Sequence, residues 1–92
     1  MKVARLKAKV YGLVQGVGFR YFVKREAQKR GITGWVRNNA DGSVEVLGEG
    51  DRGLLEELLN LLHKGPTFAS VARVDYVWEE YKGEFETFEI RY

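Results

Sequence analysis

The sequence predicts an α+β domain with elements in the order β-α-β-β-α-β and both helices on one face of an antiparallel sheet. Three observations predict it. The apolar period changes from two residues to a helical repeat near Phe19. Two strand-like segments are joined through Asn39-Ala40-Asp41-Gly42, whose Asp-Gly pair is a hairpin signal. A leucine stripe at helical spacing then runs from Leu54 to Leu62 and stops at Gly65-Pro66.

The first strand covers Ala4 to Val10: Ala4, Leu6, Ala8 and Val10 point one way, and Arg5, Lys7 and Lys9 the other. The first helix starts at Phe19, with Phe19, Phe22, Val23 and Ala27 on one face and Lys24, Arg25, Gln28 and Lys29 opposite. Gly31 is its C-terminal stop. The second strand runs from Thr33 to Asn38 and the third from Ser43 to Leu47. Asp51 is a good N-cap for the second helix, whose core stripe is Leu54, Leu55, Leu58, Leu59 and Leu62. Glu56 and Glu57 lie toward its start, and His63 and Lys64 close it, as the helix dipole prefers. The fourth strand sets Ala72, Val74, Tyr76 and Trp78 against Arg73, Asp75, Val77 and Glu79. A short extra C-terminal strand carries Phe88, Ile90 and Tyr92.

A hairpin between two helices argues against a doubly wound parallel sheet and suits the split β-α-β arrangement called ferredoxin-like. Right-handed crossovers place both helices on one face. The expected strand order is 4-1-3-2, antiparallel between neighbours, with the other face open. The first and second strands then run in the same direction, with the third between them. Their C-terminal ends share one sheet edge, which brings Arg20 and Asn38 together.

The 92 residues allow one domain, expected to span 1–92. The absence of cysteine excludes disulfides, thiol nucleophiles and thiolate metal sites. A net charge of +2 gives little support to a nucleic-acid surface. Abundant Glu, Lys and Arg without Cys would suit a heat-adapted source. The first residues alternate and no segment is long and apolar enough to span a bilayer, so the expectation is a soluble cytoplasmic protein.

The segment Gly12-Leu13-Val14-Gln15-Gly16-Val17-Gly18-Phe19-Arg20 carries the functional signal. A glycine-rich turn into a helix start directs backbone N–H groups at one point, where the helix dipole adds positive charge. Arg20 adds a planar fork of donors that stays charged. Three glycines could also serve only to permit a tight connection. Their coincidence with a helix start and an arginine favours a receptor for a tetrahedral dianion. No Gly-Lys-Ser/Thr follows, so the loop is not a nucleotide P-loop. The third glycine of the dinucleotide fingerprint would fall at Tyr21. A cation in the first helical turn is misplaced unless an anion lies nearby, which favours a functional Arg20. The shared sheet edge singles out Asn38, whereas Asn39 reads as a turn residue. His63 reads as structural, and Trp35 and Trp78 as packing residues. No histidine metal cluster, Ser-His-Asp arrangement or carboxylate pair accompanies the loop. Glu45, Glu49, Asp75 and Glu79 on flanking strands are expected to neutralise Arg5, Lys7 and Lys9.

These residues resemble a known family. Gly12 to Arg20 closely resembles the first acylphosphatase motif. Gly34-Trp35-Val36-Arg37-Asn38, followed by Asp41-Gly42-Ser43-Val44, resembles the second. The resemblance covers essentially the whole chain and implies the same ferredoxin-like sandwich. It implies hydrolysis of the carboxyl–phosphate bond of acyl phosphates, with inorganic phosphate as product and inhibitor and with no metal or cofactor. It places the phosphate-binding loop on Gln15, Gly16, Val17, Gly18, Phe19 and Arg20, the catalytic arginine on Arg20 and the water-positioning asparagine on Asn38. It implies a small-molecule partner, with neither nucleic acid nor membrane. One alternative is a non-catalytic module, since similar domains form part of larger hydrogenase maturation proteins. Another is an RNA recognition module, which shares the element order but stacks bases on central-strand rings. Here the third strand reads Val44-Glu45-Val46-Leu47, with an acid where a ring belongs.

Overall fold

The computed structural model describes residues 2–92. It contains β1 (Val3–Leu13), α1 (Phe19–Lys29), β2 (Thr33–Asn38), β3 (Val44–Asp51), α2 (Arg52–Lys64), β4 (Ser70–Glu79) and β5 (Phe88–Arg91). The sheet order is β4-β1-β3-β2-β5. The first four strands pair antiparallel, as the element order dictates. The extra strand β5 lies parallel to β2 and makes the sheet mixed. It does so because residues 80–87 cross the sheet from the β4 edge to the β2 edge before pairing resumes.

Both helices press on one face. Leu6, Val10, Phe19, Val23, Ile32, Val36, Val46, Leu55, Leu58, Leu62 and Phe88 form a continuous core there. Each such side chain contributes about 1.5–3 kcal/mol on burial. The alternation of buried Leu6, Ala8 and Val10 with exposed Lys7 and Lys9 in β1 reflects this buried face.

Three expectations need correction. Ala72 does not face the core. A bulge between Tyr11 and Gly12 shifts the β1–β4 register, so Tyr11 pairs with Arg73 but Gly12 with Val71. One extra residue on β4 inverts which residues point inward, and Val71 replaces Ala72 against the core. Gly12 itself belongs to this bulge. Its φ is 129°, and a Cβ there would stand 2.2 Å from the Ser70 carbonyl oxygen.

The second correction concerns the face away from the helices, which is open only around Lys7, Lys9 and Val77 and is covered at its other end. Glu49 is fully buried beneath residues 80–87 and accepts hydrogen bonds from the backbone N–H groups of Lys82 (2.7 Å) and Glu84 (3.1 Å). Arg5 lies beside it, 8% exposed, with Nη1 2.7 Å from Glu84 and 3.4 Å from Glu49. Its Nε is 3.2 Å from Glu79, an ion pair without hydrogen-bond alignment. Burial pushes the Glu49 carboxyl up, but the two backbone donors and Arg5 outweigh it and hold the group below the ordinary carboxylate range. Burial likewise lowers the Arg5 guanidinium, but Glu84 and Glu49 outweigh it and hold its pKa above the ordinary value. The third correction concerns the basic stripe, which is neutralised only in part: among the described residues, only Arg5 of it forms an ion pair. Lys9 faces Glu45 and Asp75 in register, but Arg37 and Arg73 take those carboxylates. Lys7 faces Leu47 and Val77, which offer no charge.

Candidate active site

β1 and β2 run in the same direction on either side of β3. The loop after Leu13 and the Asn38 end of β2 therefore meet at one sheet edge. Gly16 and Gly18 adopt φ values of 75° and 77°, and a Cβ at either would meet nothing within 4 Å. The requirement there is left-handed backbone, not space. Gly18 is the N-cap of α1. Phe19 is buried and packs edge-to-face on Phe22 with ring centroids 6.0 Å apart. That anchor fixes the helix start and with it the base of the Arg20 side chain.

The two helix starts differ. At α2 the Asp51 Oδ2 accepts from the Leu54 N–H at 3.0 Å. At α1 no side chain caps the helix, and its first turn holds no acidic residue. The leading N–H groups of α1 therefore have no side-chain acceptor among the described residues.

A cleft of about 100 Å³ lies at this point, lined by Val14, Gly16, Gly18, Phe19, Arg20, Tyr21 and Asn38. It has room for a few water molecules of about 30 Å³ each, or one tetrahedral oxyanion. Arg5, Arg25, Arg30, Arg37, Arg52 and Arg73 are held in ion pairs. Arg20 joins none of these among the described residues, and its guanidinium lies 5.1 Å from the Tyr92 ring centre. Asn38 Oδ1 is buried without a hydrogen-bond partner. An unmet buried acceptor costs about 1–3 kcal/mol, so the site carries a standing demand for a donor.

The sequence-derived residues thus divide. Gly16, Gly18, Phe19, Arg20 and Asn38 share the cleft. Val17 packs its side chain against the core. The Gln15 side chain turns to the β2–β3 hairpin, where Nε2 donates to the carbonyls of Asn39 (2.7 Å) and Ser43 (2.9 Å). Asn39 is a turn residue: its N–H donates to the Ser43 carbonyl at 2.8 Å and its Nδ2 to Ser43 Oγ at 3.0 Å. Hydrogen bonds from the Ser43 hydroxyl and N–H hold the Asp41 carboxyl below its ordinary range. Val14 and Tyr21 line the cleft without having been singled out. The one signal for Tyr21 was a large aromatic on the polar side of the helix start, where it is 62% exposed.

Other candidates fall away. His63 Nδ1 lies 2.9 Å from the Leu59 carbonyl one turn back. The Trp35 ring centre lies 4.9 Å from the Arg37 guanidinium and 5.1 Å from that of Arg91. Among the described residues no group of three or more His, Asp or Glu could hold a metal ion. No helix there is long and apolar enough to cross a membrane. A larger groove of about 440 Å³ on the opposite sheet face is lined by Lys7, Lys9, Glu45, Asp75 and Val77 among others. It has neither a glycine loop nor a helix start.

The chain is similar to known proteins along nearly its whole length. The acylphosphatase family profile matches residues 6–90. An acylphosphatase of Thermococcus kodakarensis is 51% identical over 83 residues, covering 90% of this chain and 91% of the relative. One of Syntrophotalea carbinolica is 49% identical over 92 residues, covering 100% of both chains. The crystal structure of acylphosphatase from Bacillus subtilis superposes with a TM-score of 0.93 at 38% identity, over 97% of this chain and 99% of that one. By sequence along nearly its whole length and by fold, the chain belongs to the acylphosphatase family of hydrolases.

Proposed function

We propose that this chain acts as one domain that hydrolyses acyl phosphates to a carboxylate and inorganic phosphate without a metal ion. One observation carries the mechanism: the uncapped start of α1, the unpaired Arg20 and the unpartnered Asn38 Oδ1 converge on one small cleft.

The phosphoryl oxygens sit against the backbone N–H groups of residues 16 to 20, and the Arg20 fork holds them from the side. Asn38 Oδ1 accepts a hydrogen bond from a water and aims its oxygen at phosphorus, in line with the carboxylate leaving group. The water oxygen–phosphorus bond forms as the phosphorus–carboxylate oxygen bond breaks. The carboxylate leaves with the bonding pair, and the water proton passes to a phosphoryl oxygen. No carboxylate or imidazole lines the cleft to take that proton. An acyl phosphate is a mixed anhydride with a good leaving group, so positioning and a fixed positive field suffice. Inorganic phosphate occupies the same cup and inhibits.

Release of inorganic phosphate from benzoyl phosphate, measured with and without chelator, tests the reading. Chelator-insensitive turnover is expected. A chain that leaves benzoyl phosphate intact, or turns it over only with added metal, contradicts it.

A further inference from the structure

We propose that Gln15 is a positioning residue that acts through Asn38 by tying the phosphate loop to the β2–β3 hairpin. This rests on the hydrolytic reading above and assigns Gln15 a different part in it from that of a phosphate contact.

The Gln15 amide meets two acceptors, the Asn39 carbonyl at 2.7 Å and the Ser43 carbonyl at 2.9 Å. Both partners are carbonyl oxygens, so the amide NH₂ faces them and both its protons are used. Each carbonyl also accepts a backbone N–H: Gly42 donates to Asn39 at 3.2 Å and Asn39 to Ser43 at 2.8 Å. A carbonyl oxygen has two lone pairs, and Gln15 fills the second on each. With this side chain in place each of the two turn carbonyls has two donors.

The location gives the clamp its meaning. Asn38 pairs with Val44 in the last register step of β2 and β3, and the two clamped residues follow immediately. Gln15 directly precedes Gly16, which lines the cleft. One side chain therefore fixes the distance between the loop that receives phosphate and the strand end that aims the water. Asn38 Oδ1 has no partner of its own to hold its direction. An in-line attack loses about 10²-fold for a misplacement near 1 Å, so a loosened hairpin is felt in the chemical step before it is felt in binding.

The test is a double-mutant cycle between Gln15→Met and Asn38→Ala, read on benzoyl phosphate turnover and on inhibition by inorganic phosphate. Gln15→Met keeps the length and removes both donors. Gln15→Glu, of the same shape, sets a carboxylate against the two carbonyls and serves if the methionine variant fails to fold. The expected result is a fall in kcat of about tenfold or more, with the phosphate inhibition constant within about twofold. In the Asn38→Ala background the same change should move kcat by less than about twofold, because the residue it acts through is gone. Phosphate affinity falling with kcat makes Gln15 a ligand contact and overturns the inference. So does an unchanged kcat, or losses that multiply in the double variant. A wild-type chain inactive on benzoyl phosphate sinks the hydrolytic reading instead. Hydrogen exchange at the Asn39 amide then decides: Gln15→Met accelerates it if the clamp holds the hairpin, and an unchanged rate overturns the clamp.

Discussion

Arg20 and Asn38 line the same cleft from different elements, the first turn of α1 and the last residue of β2, and neither is satisfied by the protein. The arginine enters no ion pair among the described residues, and the asparagine oxygen is a buried acceptor without a donor. The unmet Asn38 acceptor is costly, and Arg20 beside it is a charge without a counter-charge among the described residues. Both are understandable where a ligand supplies the missing partners, a water hydrogen for one and an anion for the other.

Arg20→Lys keeps the charge and loses the planar fork. Turnover of benzoyl phosphate should fall by about 10²–10³-fold. Steady-state kinetics checks it, and near-wild-type kcat would remove the guanidinium from the mechanism.

Asn38→Ala should lower kcat strongly and leave phosphate inhibition nearly unchanged. Because its Oδ1 has no protein partner, the variant should be no less stable than the wild type in thermal unfolding. Lost phosphate affinity would make Asn38 a ligand contact. A large drop in Tm would show that its side chain has a structural role.

The glycines separate by substitution. At Gly18 an alanine meets no neighbour within 4 Å and bears only the backbone cost of a left-handed residue, about 1–2 kcal/mol. At Gly12 the new Cβ would also collide with the Ser70 carbonyl at 2.2 Å, so Gly12→Ala should be the more destabilising and shift the β1–β4 register. Gly18→Ala should instead impair phosphate binding. Denaturant unfolding and inhibition assays of both variants check this, and equal stability losses would contradict the assignment of Gly12 to the bulge.

How far the sequence carried this account is clearest at the loop and the hairpin. Gly16, Gly18, Arg20 and the Asp41-Gly42 turn act through local conformation, which residue type and spacing report directly. The pairing of Arg20 with Asn38 needed only strand direction. Four features were beyond that reach. The parallel course of β5 depends on where residues 80–87 cross, which no period encodes. Glu49 looked like an exposed strand residue because two of its partners, the N–H groups of Lys82 and Glu84, belong to a distant backbone. The contacts of Gln15 with the hairpin were out of reach because carbonyl acceptors leave no trace in residue identity. The bulge that turned Ala72 outward is likewise a single-residue event inside a regular alternation.

Glu49 gives a pH prediction. Its folded pKa lies below the ordinary value, so its contribution to stability is fully present above about pH 4.3. That contribution is lost as pH falls through the folded value, when the carboxyl protonates and its hold on Arg5 and the two backbone donors weakens. Glu49→Gln should reduce stability at pH 7 by about 1–3 kcal/mol and flatten the acid limb of the Tm profile. Thermal unfolding from pH 7 to pH 3 checks it, and parallel curves for the two proteins would show that Glu49 does not drive the acid response.

Titration of ¹⁵N-labelled chain with inorganic phosphate tests the central claim most directly. The account predicts saturable shifts at the backbone amides of Gly16 to Arg20 and at the Asn38 side-chain amide, lost in Arg20→Ala. Shifts confined to the opposite sheet face around Lys7 and Lys9, or none at all, would contradict it.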